Sequence, residues 1–85
     1  MTRVILPTHL RSYTAGAAVV EADGRTLGEV LADVERRHPG FLVRIVDEQD
    51  RIRPHVKCFV AGEQAKNLAV EIVGDVQIIA ALSGG

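Results

Sequence analysis

The strongest structural signal in this sequence is one amphipathic helix that begins after Thr26 and ends before Pro39-Gly40. Residues 26–29, Thr-Leu-Gly-Glu, fit a capping box, in which the threonine hydroxyl accepts from a first-turn amide and the glutamate reaches back. Apolar side chains then recur at helical spacing on one face, at Leu27, Val30, Leu31 and Val34. A chain with one such helix must bury that apolar stripe against another layer of structure.

Most of the remaining sequence is typical of short strands. Runs of β-branched and other apolar residues predict strands at Arg3–Leu6, Ala17–Ala22, Val56–Val60 and Val76–Ala81. A brief edge strand is a further candidate at Gln64–Lys66. The other segments carry weaker signals: we expect loops at 9–16 and 47–54, a strand or a turn at 41–46, and a helix or a strand at 68–73.

The order of these elements predicts an α+β fold, in which the helix packs on one face of a mixed sheet of four to five strands. This is the β-grasp arrangement. We expect a single domain over residues 1–85, with a flexible C-terminal tail at about 81–85. With one helix available, the second face of the sheet stays partly open, and an open apolar face can serve as a docking surface.

The composition argues against several classes of function. The net charge of −1 creates no field that would attract nucleic acid or an anionic membrane, and the three aromatic residues are too few for base stacking. No apolar run approaches the roughly 20 residues that span a bilayer. Residues 1–10 lack the apolar stretch of a signal peptide. We therefore expect a cytoplasmic protein whose partners are neither nucleic acid nor membrane.

Cys58 is the only cysteine, so no disulfide can form within the chain, and one thiol cannot hold an iron–sulfur cluster or a structural zinc. Because Cys58 alternates with Val56 and Val60, we expect it in the core, where a free cysteine behaves as a small hydrophobe. No metal-ligand spacing relates the three histidines, His9, His38 and His55. We therefore expect no bound metal and no bound cofactor.

The sequence ends in Gly84-Gly85, shortly after the last predicted strand. Two glycines can thread a channel too narrow for any Cβ, and Ser83 before them is also small. An extended segment from Ala80 onward would reach about 20 Å at ~3.3 Å per residue, enough to carry a carboxylate into a partner's active site. An ATP-dependent enzyme can convert such a carboxylate into an acyl-adenylate, and sulfur attack then gives a thiocarboxylate. The alternative is a frayed terminus without a chemical role.

Short motifs follow one another in a fixed order along nearly the whole chain. They are Leu6-Pro7-Thr8 with Leu10-Arg11, Gly24 with Thr26-Leu27-Gly28, Phe59-Val60 with Gly62, Gly74-Asp75-Val76, and Gly84-Gly85. Together they resemble the MoaD/ThiS family of ubiquitin-like sulfur carriers, and within it the carriers that serve cysteine biosynthesis. Two positions depart from that pattern. Ala80 stands where many relatives have proline, and Ala61 stands where relatives often have asparagine or aspartate.

The resemblance implies how the chain works. An E1-like adenylyltransferase and sulfurtransferase of the MoeB/ThiF type would use ATP and magnesium to adenylate Gly85, which then receives sulfur as a thiocarboxylate. Leu82, Ser83 and Gly84 would enter the partner's active site. The sulfur would pass to a client enzyme such as a cysteine synthase homologue, with molybdopterin synthase and thiazole synthase as the other candidates. The chain would then be a carrier and not an enzyme.

Two surface features have a candidate role in docking. Period-two alternation places Ile5, Phe59 and Ile79 on the sheet face away from the helix, where they would meet the activating enzyme. Scattered surface hydrophobes are the alternative interpretation. The second feature is an alternating basic run, made up of Arg51, Arg53, His55 and Lys57. This run would complement an acidic partner if it lined one strand face, or else lie in a solvated loop and at a strand edge.

Two other functions stay open at this point. A protein modifier would use the same activated Gly85 to form isopeptide bonds with lysines of other proteins. A non-covalent subunit with the same fold would not need Gly84 or Gly85 at all. The products distinguish these functions, because a carrier gains a thiocarboxylate, a modifier gives conjugates of high mass, and a subunit gives neither.

Overall fold

Five strands form one mixed sheet in the computed structural model, which describes residues 1–80. The strands are β1 (Thr2–Ile5), β2 (Val19–Ala22), β3 (Val56–Val60), β4 (Glu63–Ala65) and β5 (Val76–Ala80). The helices are α1 (Leu27–Arg37), the short α2 (Leu42–Ile45) and a 3₁₀ helix at Thr8–Thr14. No helix within this part of the chain is long and apolar enough to cross a membrane.

The last strand lies in the centre of the sheet. The strand order is β2-β1-β5-β3-β4, so β5 pairs with β1 on one side and with β3 on the other. The β1–β5 pair is parallel, and the pairs β1–β2, β3–β5 and β3–β4 are antiparallel. The predicted α+β fold, a mixed sheet with one main helix, is therefore confirmed. Because β5 is held on both sides, the chain beyond Ala80 continues from a well-supported position.

Helix α1 begins as the sequence predicts, with one difference in the capping box. The Oγ1 atom of Thr26 accepts a hydrogen bond from the Glu29 amide at 3.3 Å. The Glu29 carboxylate reaches back past the cap and accepts from the amide of Arg25 at 2.9 Å. Each bond satisfies a backbone donor near the helix start that would otherwise depend on water.

The apolar stripe of α1 and one face of the sheet form the core. All four stripe residues, Leu27, Val30, Leu31 and Val34, are fully buried. The sheet contributes alternate residues of its strands, Val4, Val56, Cys58, Val60, Val76 and Ile78. Burying a side chain of this size stabilises the fold by roughly 1.5–3 kcal/mol, so this layer supplies most of the hydrophobic free energy. The residues that alternate with these along each strand lie on the opposite face of the sheet.

Three segments differ from their predictions. The expected loop at 9–16 contains the 3₁₀ helix instead, because Leu10 is buried in the core and its amide donates to the Pro7 carbonyl at 3.0 Å. The segment 41–46, predicted as a strand or a turn, forms α2. The Glu35 carboxylate accepts from the amides of Gly40 and Leu42 at 3.1 and 2.8 Å, which supports the start of this helix.

The segment 68–73, predicted as a helix or a strand, has no regular helix or strand. It runs along the N-terminal end of α1, where the amides of Leu27 and Gly28 donate to the carbonyls of Val70 and Leu68, both at 2.9 Å. A single antiparallel bridge joins Thr26 to Glu71. The amides in the first turn of a helix have no acceptors within the helix, and the carbonyls of this segment accept from them. Those carbonyls are therefore not used in a regular helix or strand of the segment itself.

Candidate functional site

The candidate site is the part of the sheet from which the predicted C-terminal tail continues. Ala80 is the last residue of β5 and pairs with Val56 at the start of β3. We call this pair the tail root. Gly85, the predicted point of sulfur attachment, lies outside the described residues. The same holds for the residues predicted to enter a partner's active site, Leu82, Ser83 and Gly84.

The sheet face opposite α1, which we call the open face, is defined by the strand register. Across β2, β1, β5 and β3, one row is formed by the pairs Val19–Ile5, Ile5–Gln77 and Gln77–Phe59. The next row toward the tail root contains the pair Ile79–Lys57. The members of the open face are Arg3, Ile5, Val19, Glu21, Lys57, Phe59, Gln64, Gln77 and Ile79.

The three predicted docking residues lie together on this face. Ile79 is 44% exposed, and Ile5 and Phe59 are half-buried. Ile79 is the diagonal neighbour of both, since Gln77 pairs with Ile5 on one side and with Phe59 on the other. Diagonal neighbours on one face lie within reach of long side chains. The three therefore lie around Gln77 on one face, and the role of this apolar surface in docking stays a prediction.

Val19 extends this apolar surface and was not among the predicted residues. It is 45% exposed and pairs with Ile5 on the edge strand β2. The sequence carries the signal, because Val19 lies three residues before the buried Ala22 in the same predicted strand, and period-two alternation puts the two on opposite faces. Its pairing with Ile5 depends on the register of β1 and β2, which the long connection between them left open.

The two ends of the open face carry different charges. At the far end from the tail root, Arg3 donates from Nη2 to Oδ2 of Asp75 at 2.7 Å. This contact raises the pKa of Arg3 above its ordinary value. Glu21 pairs with Arg3 across β1 and β2. Near the tail root, by contrast, the exposed Lys57 stands opposite Ile79.

Cys58 is fully buried, as predicted, between Ala65 of β4 and Ile78 of β5. Burial raises the pKa of its thiol from the ordinary 9.0 to about 11. Since the thiolate is the nucleophile, a thiol with this pKa and no exposure is chemically inert at neutral pH. Among residues 1–80, no three histidine, cysteine or acidic side chains are arranged to hold a metal ion.

The predicted basic run does not line one strand. Only Lys57 belongs to β3, while Arg51 lies in the preceding loop and forms an ion pair with Asp47 at 3.8 Å. Arg53 is anchored, because its Nε atom donates to the Val43 carbonyl at 2.8 Å. Loop backbone geometry therefore overrides the alternation, and the run does not form one face of a strand.

Comparisons with known proteins cover the full length of the chain, although no family model matches it. The sulfur carrier protein CysO of Mycobacterium bovis is 37% identical over 89 aligned residues, which is 96% of this chain and 96% of that protein. The crystal structure of CysO from Mycobacterium tuberculosis has a TM-score of 0.88 and 32% identity, covering 96% of this chain and 100% of that one.

A second solved structure is the BexX/CysO complex of Amycolatopsis orientalis. Its matching chain has a TM-score of 0.91 and 33% identity, with 100% of both chains covered. The crystal structure of small archaeal modifier protein 1 from Haloferax volcanii has a TM-score of 0.74 at 24% identity, over 99% of this chain and 98% of that one. At that identity the likeness shows the shared β-grasp fold alone.

Proposed function

This chain belongs to the family of CysO-type sulfur carrier proteins, and from this premise we propose that Gly85 carries the sulfur as a thiocarboxylate. The observation that carries the proposal is the likeness to CysO over nearly the whole length, in sequence and in fold. The terminal Gly84-Gly85 of the sequence provides the acceptor that such chemistry needs. The chain acts as a co-substrate of other enzymes and not as a catalyst.

The loading reaction has two steps on a partner enzyme, an E1-like adenylyltransferase and sulfurtransferase. The Gly85 carboxylate attacks the α-phosphorus of ATP held with magnesium, and pyrophosphate leaves to give an acyl-adenylate. A hydrosulfide then attacks the acyl carbon, so a C–S bond forms, the C–O bond to the phosphate breaks and AMP leaves. ATP and magnesium are bound by the partner, and the chain itself supplies the carboxyl group.

The described residues support a carrier more than a thiol-based donor. Cys58 is fully buried and its raised pKa leaves almost no thiolate at neutral pH. The carboxyl group at Gly85 is therefore the better candidate for the reacting group. The five residues 81–85 can span at most about 18 Å, at ~3.3–3.6 Å each, so the partner must approach the tail root closely.

Docking of the activating enzyme uses the open face. Its apolar residues surround the central strand that leads to the tail, and Val19 and Ile79 are 45% and 44% exposed. Apolar residues grouped on an exposed sheet face are typical of protein interaction sites. The CysO of Amycolatopsis orientalis was crystallised in complex with BexX, which supports a dedicated protein partner for carriers of this kind.

The client that receives the sulfur is an enzyme of cysteine biosynthesis, a cysteine synthase homologue. This part of the proposal follows from the CysO relatives, whose resemblance covers 96% of this chain. Thiocarboxylate sulfur is nucleophilic, so the client must present an electrophilic carbon at the end of a channel that admits two glycines.

Intact-mass measurement tests the proposal. The full chain is incubated with the activating enzyme of the same organism, ATP, magnesium and sulfide, and we expect the exchange of one oxygen atom for one sulfur. The matched controls are the same reaction without ATP and a variant that lacks Gly85, and neither should gain sulfur. An unchanged mass with demonstrably active enzyme contradicts the carrier function, and conjugates of high mass would indicate a protein modifier instead.

A further inference from the structure

A shallow pocket of about 340 Å³ lies at the ends of β3 and β4 beside the tail root. Its basic residues are Arg53, Lys57 and Lys66, and none of the described residues that line it is an aspartate or glutamate. We call it the basic pocket. Arg53 also lines a neighbouring pocket with Asp47 and Glu48, so the two lysines are the main source of its uncompensated positive charge.

The strand register explains why these two lysines converge. Cys58 pairs with Ala65 across β3 and β4, so Lys57 and Lys66 flank that pair on the side facing the tail root. On the other side of β3, Val56 pairs with Ala80 and Lys57 with Ile79. Both lysines are exposed, and the ion pairs formed within residues 1–80 involve neither of them. Positive charge therefore lies next to the tail root, on β3 itself at Lys57 and just after the neighbouring strand β4 at Lys66.

The far end of the sheet has the opposite charge. Asp75 precedes β5 and Glu21 lies on β2, and Arg3 is the cation between them, already paired with Asp75. The net charge of the chain is only −1, so this separation reflects placement and not an overall excess. Along β5, the open face therefore changes from negative at the start of the strand to positive at the tail root.

We propose that the basic pocket docks an acidic surface of the activating enzyme that borders the opening for the tail. This inference rests on the proposed carrier function and adds to it the chemistry and orientation of the contact. The apolar open face alone would allow the carrier to bind in more than one rotation. A charge difference along β5 favours the rotation that places the tail root at the opening. In the other rotations the negative end of the open face would meet the acidic surface of the enzyme, and like charges repel.

The test compares two double charge reversals with the same change in net charge. Lys57→Glu with Lys66→Glu reverses the basic pocket, and Arg25→Glu with Arg36→Glu reverses two exposed cations on the helix side as the matched control. Each is assayed as the full chain with the activating enzyme and ATP, by pyrophosphate release over a range of carrier concentrations. Circular dichroism and urea unfolding check that both variants are folded.

At low ionic strength we expect the basic-pocket variant to lose about tenfold or more in kcat/KM, with kcat at saturating carrier unchanged, because steering charges act on association. The loss should shrink at high salt, and the helix-side control should stay within about twofold of wild type. Equal kcat/KM for the basic-pocket variant and wild type, or equal losses in both variants, would overturn the inference. If wild type itself releases no pyrophosphate, the carrier function fails and the inference fails with it.

Discussion

Replacing Cys58 with alanine separates the two sulfur chemistries that this chain could support. The side chain is fully buried against Ala65 and Ile78, so the substitution removes one core atom and leaves a small void. Loss of a single methyl-sized group from a core costs about 0.5–1.5 kcal/mol of unfolding free energy. We therefore expect Cys58→Ala to be folded, less stable by about 1 kcal/mol, and loaded with sulfur at the wild-type rate.

The thiol also predicts a pH dependence. Burial raises its pKa from 9.0 to about 11, so the native state holds a hundredfold smaller fraction of thiolate than an unfolded chain at neutral pH. Because the native pKa is the higher one, the contribution of the protonated thiol to the unfolding free energy is fully present below pH 9. This contribution is lost as the pH rises from 9 to 11. In that window the unfolding free energy falls by up to about 1.4 kcal/mol per pH unit, and the Cys58→Ala variant lacks this contribution.

Urea unfolding of wild type and Cys58→Ala across that pH range measures both effects, and intact mass measures sulfur loading. The two stability curves should cross near pH 10, because the wild-type loss exceeds about 1 kcal/mol there, and Cys58→Ala should be the more stable protein at pH 11. Native wild type should also resist alkylation by iodoacetamide at neutral pH. A folded Cys58→Ala variant that no longer gains sulfur would refute the reasoning, as would rapid alkylation of the native thiol.

Three further predictions concern the fold and the docking face. Gly24→Ala should lower the unfolding free energy in urea by about 1–3 kcal/mol, because a Cβ there would lie 2.6 Å from the Val30 amide nitrogen. The control Gly16→Ala, at φ +86° with open space around it, should lower it by about 1 kcal/mol through backbone strain alone. Equal losses in the two variants would contradict the clash at Gly24. Thr26→Ala should lower stability by about 1 kcal/mol through loss of the cap, whereas Thr26→Ser should retain most of it. Ile79→Ser should raise the KM for the activating enzyme about tenfold at constant kcat and leave the fold unchanged, and an unchanged KM would remove Ile79 from the interface.

The elements with strong local signals could be predicted from the sequence. The capping box and the apolar stripe define α1 within a residue or two, and alternation assigned Cys58 and Phe59 to opposite faces of β3. These features depend on neighbouring residues alone. The predicted strands also agree in position with β1, β4 and β5 to within a residue or so at their ends.

Features that depend on distant partners could not be predicted in the same way. The segment 68–73 has apolar residues but uses its carbonyls to accept from the first amides of α1, a contact between residues about 40 positions apart in sequence. Likewise, the basic pocket exists because the β3–β4 register sets Lys57 near Lys66. Sequence alternation instead grouped Lys57 with Arg51, which the loop pairs with Asp47, and gave no sign of Lys66.

Tandem mass spectrometry of the sulfur-loaded protein tests the central claim most directly. Cleavage after Lys57 and Lys66 gives separate peptides for residues 58–66, which contain Cys58, and for residues 67–85, which contain Gly85. We predict that the sulfur is found on the second peptide, as an exchange for a carboxyl oxygen at Gly85. Sulfur added to the first peptide, as a persulfide on Cys58, would contradict the account.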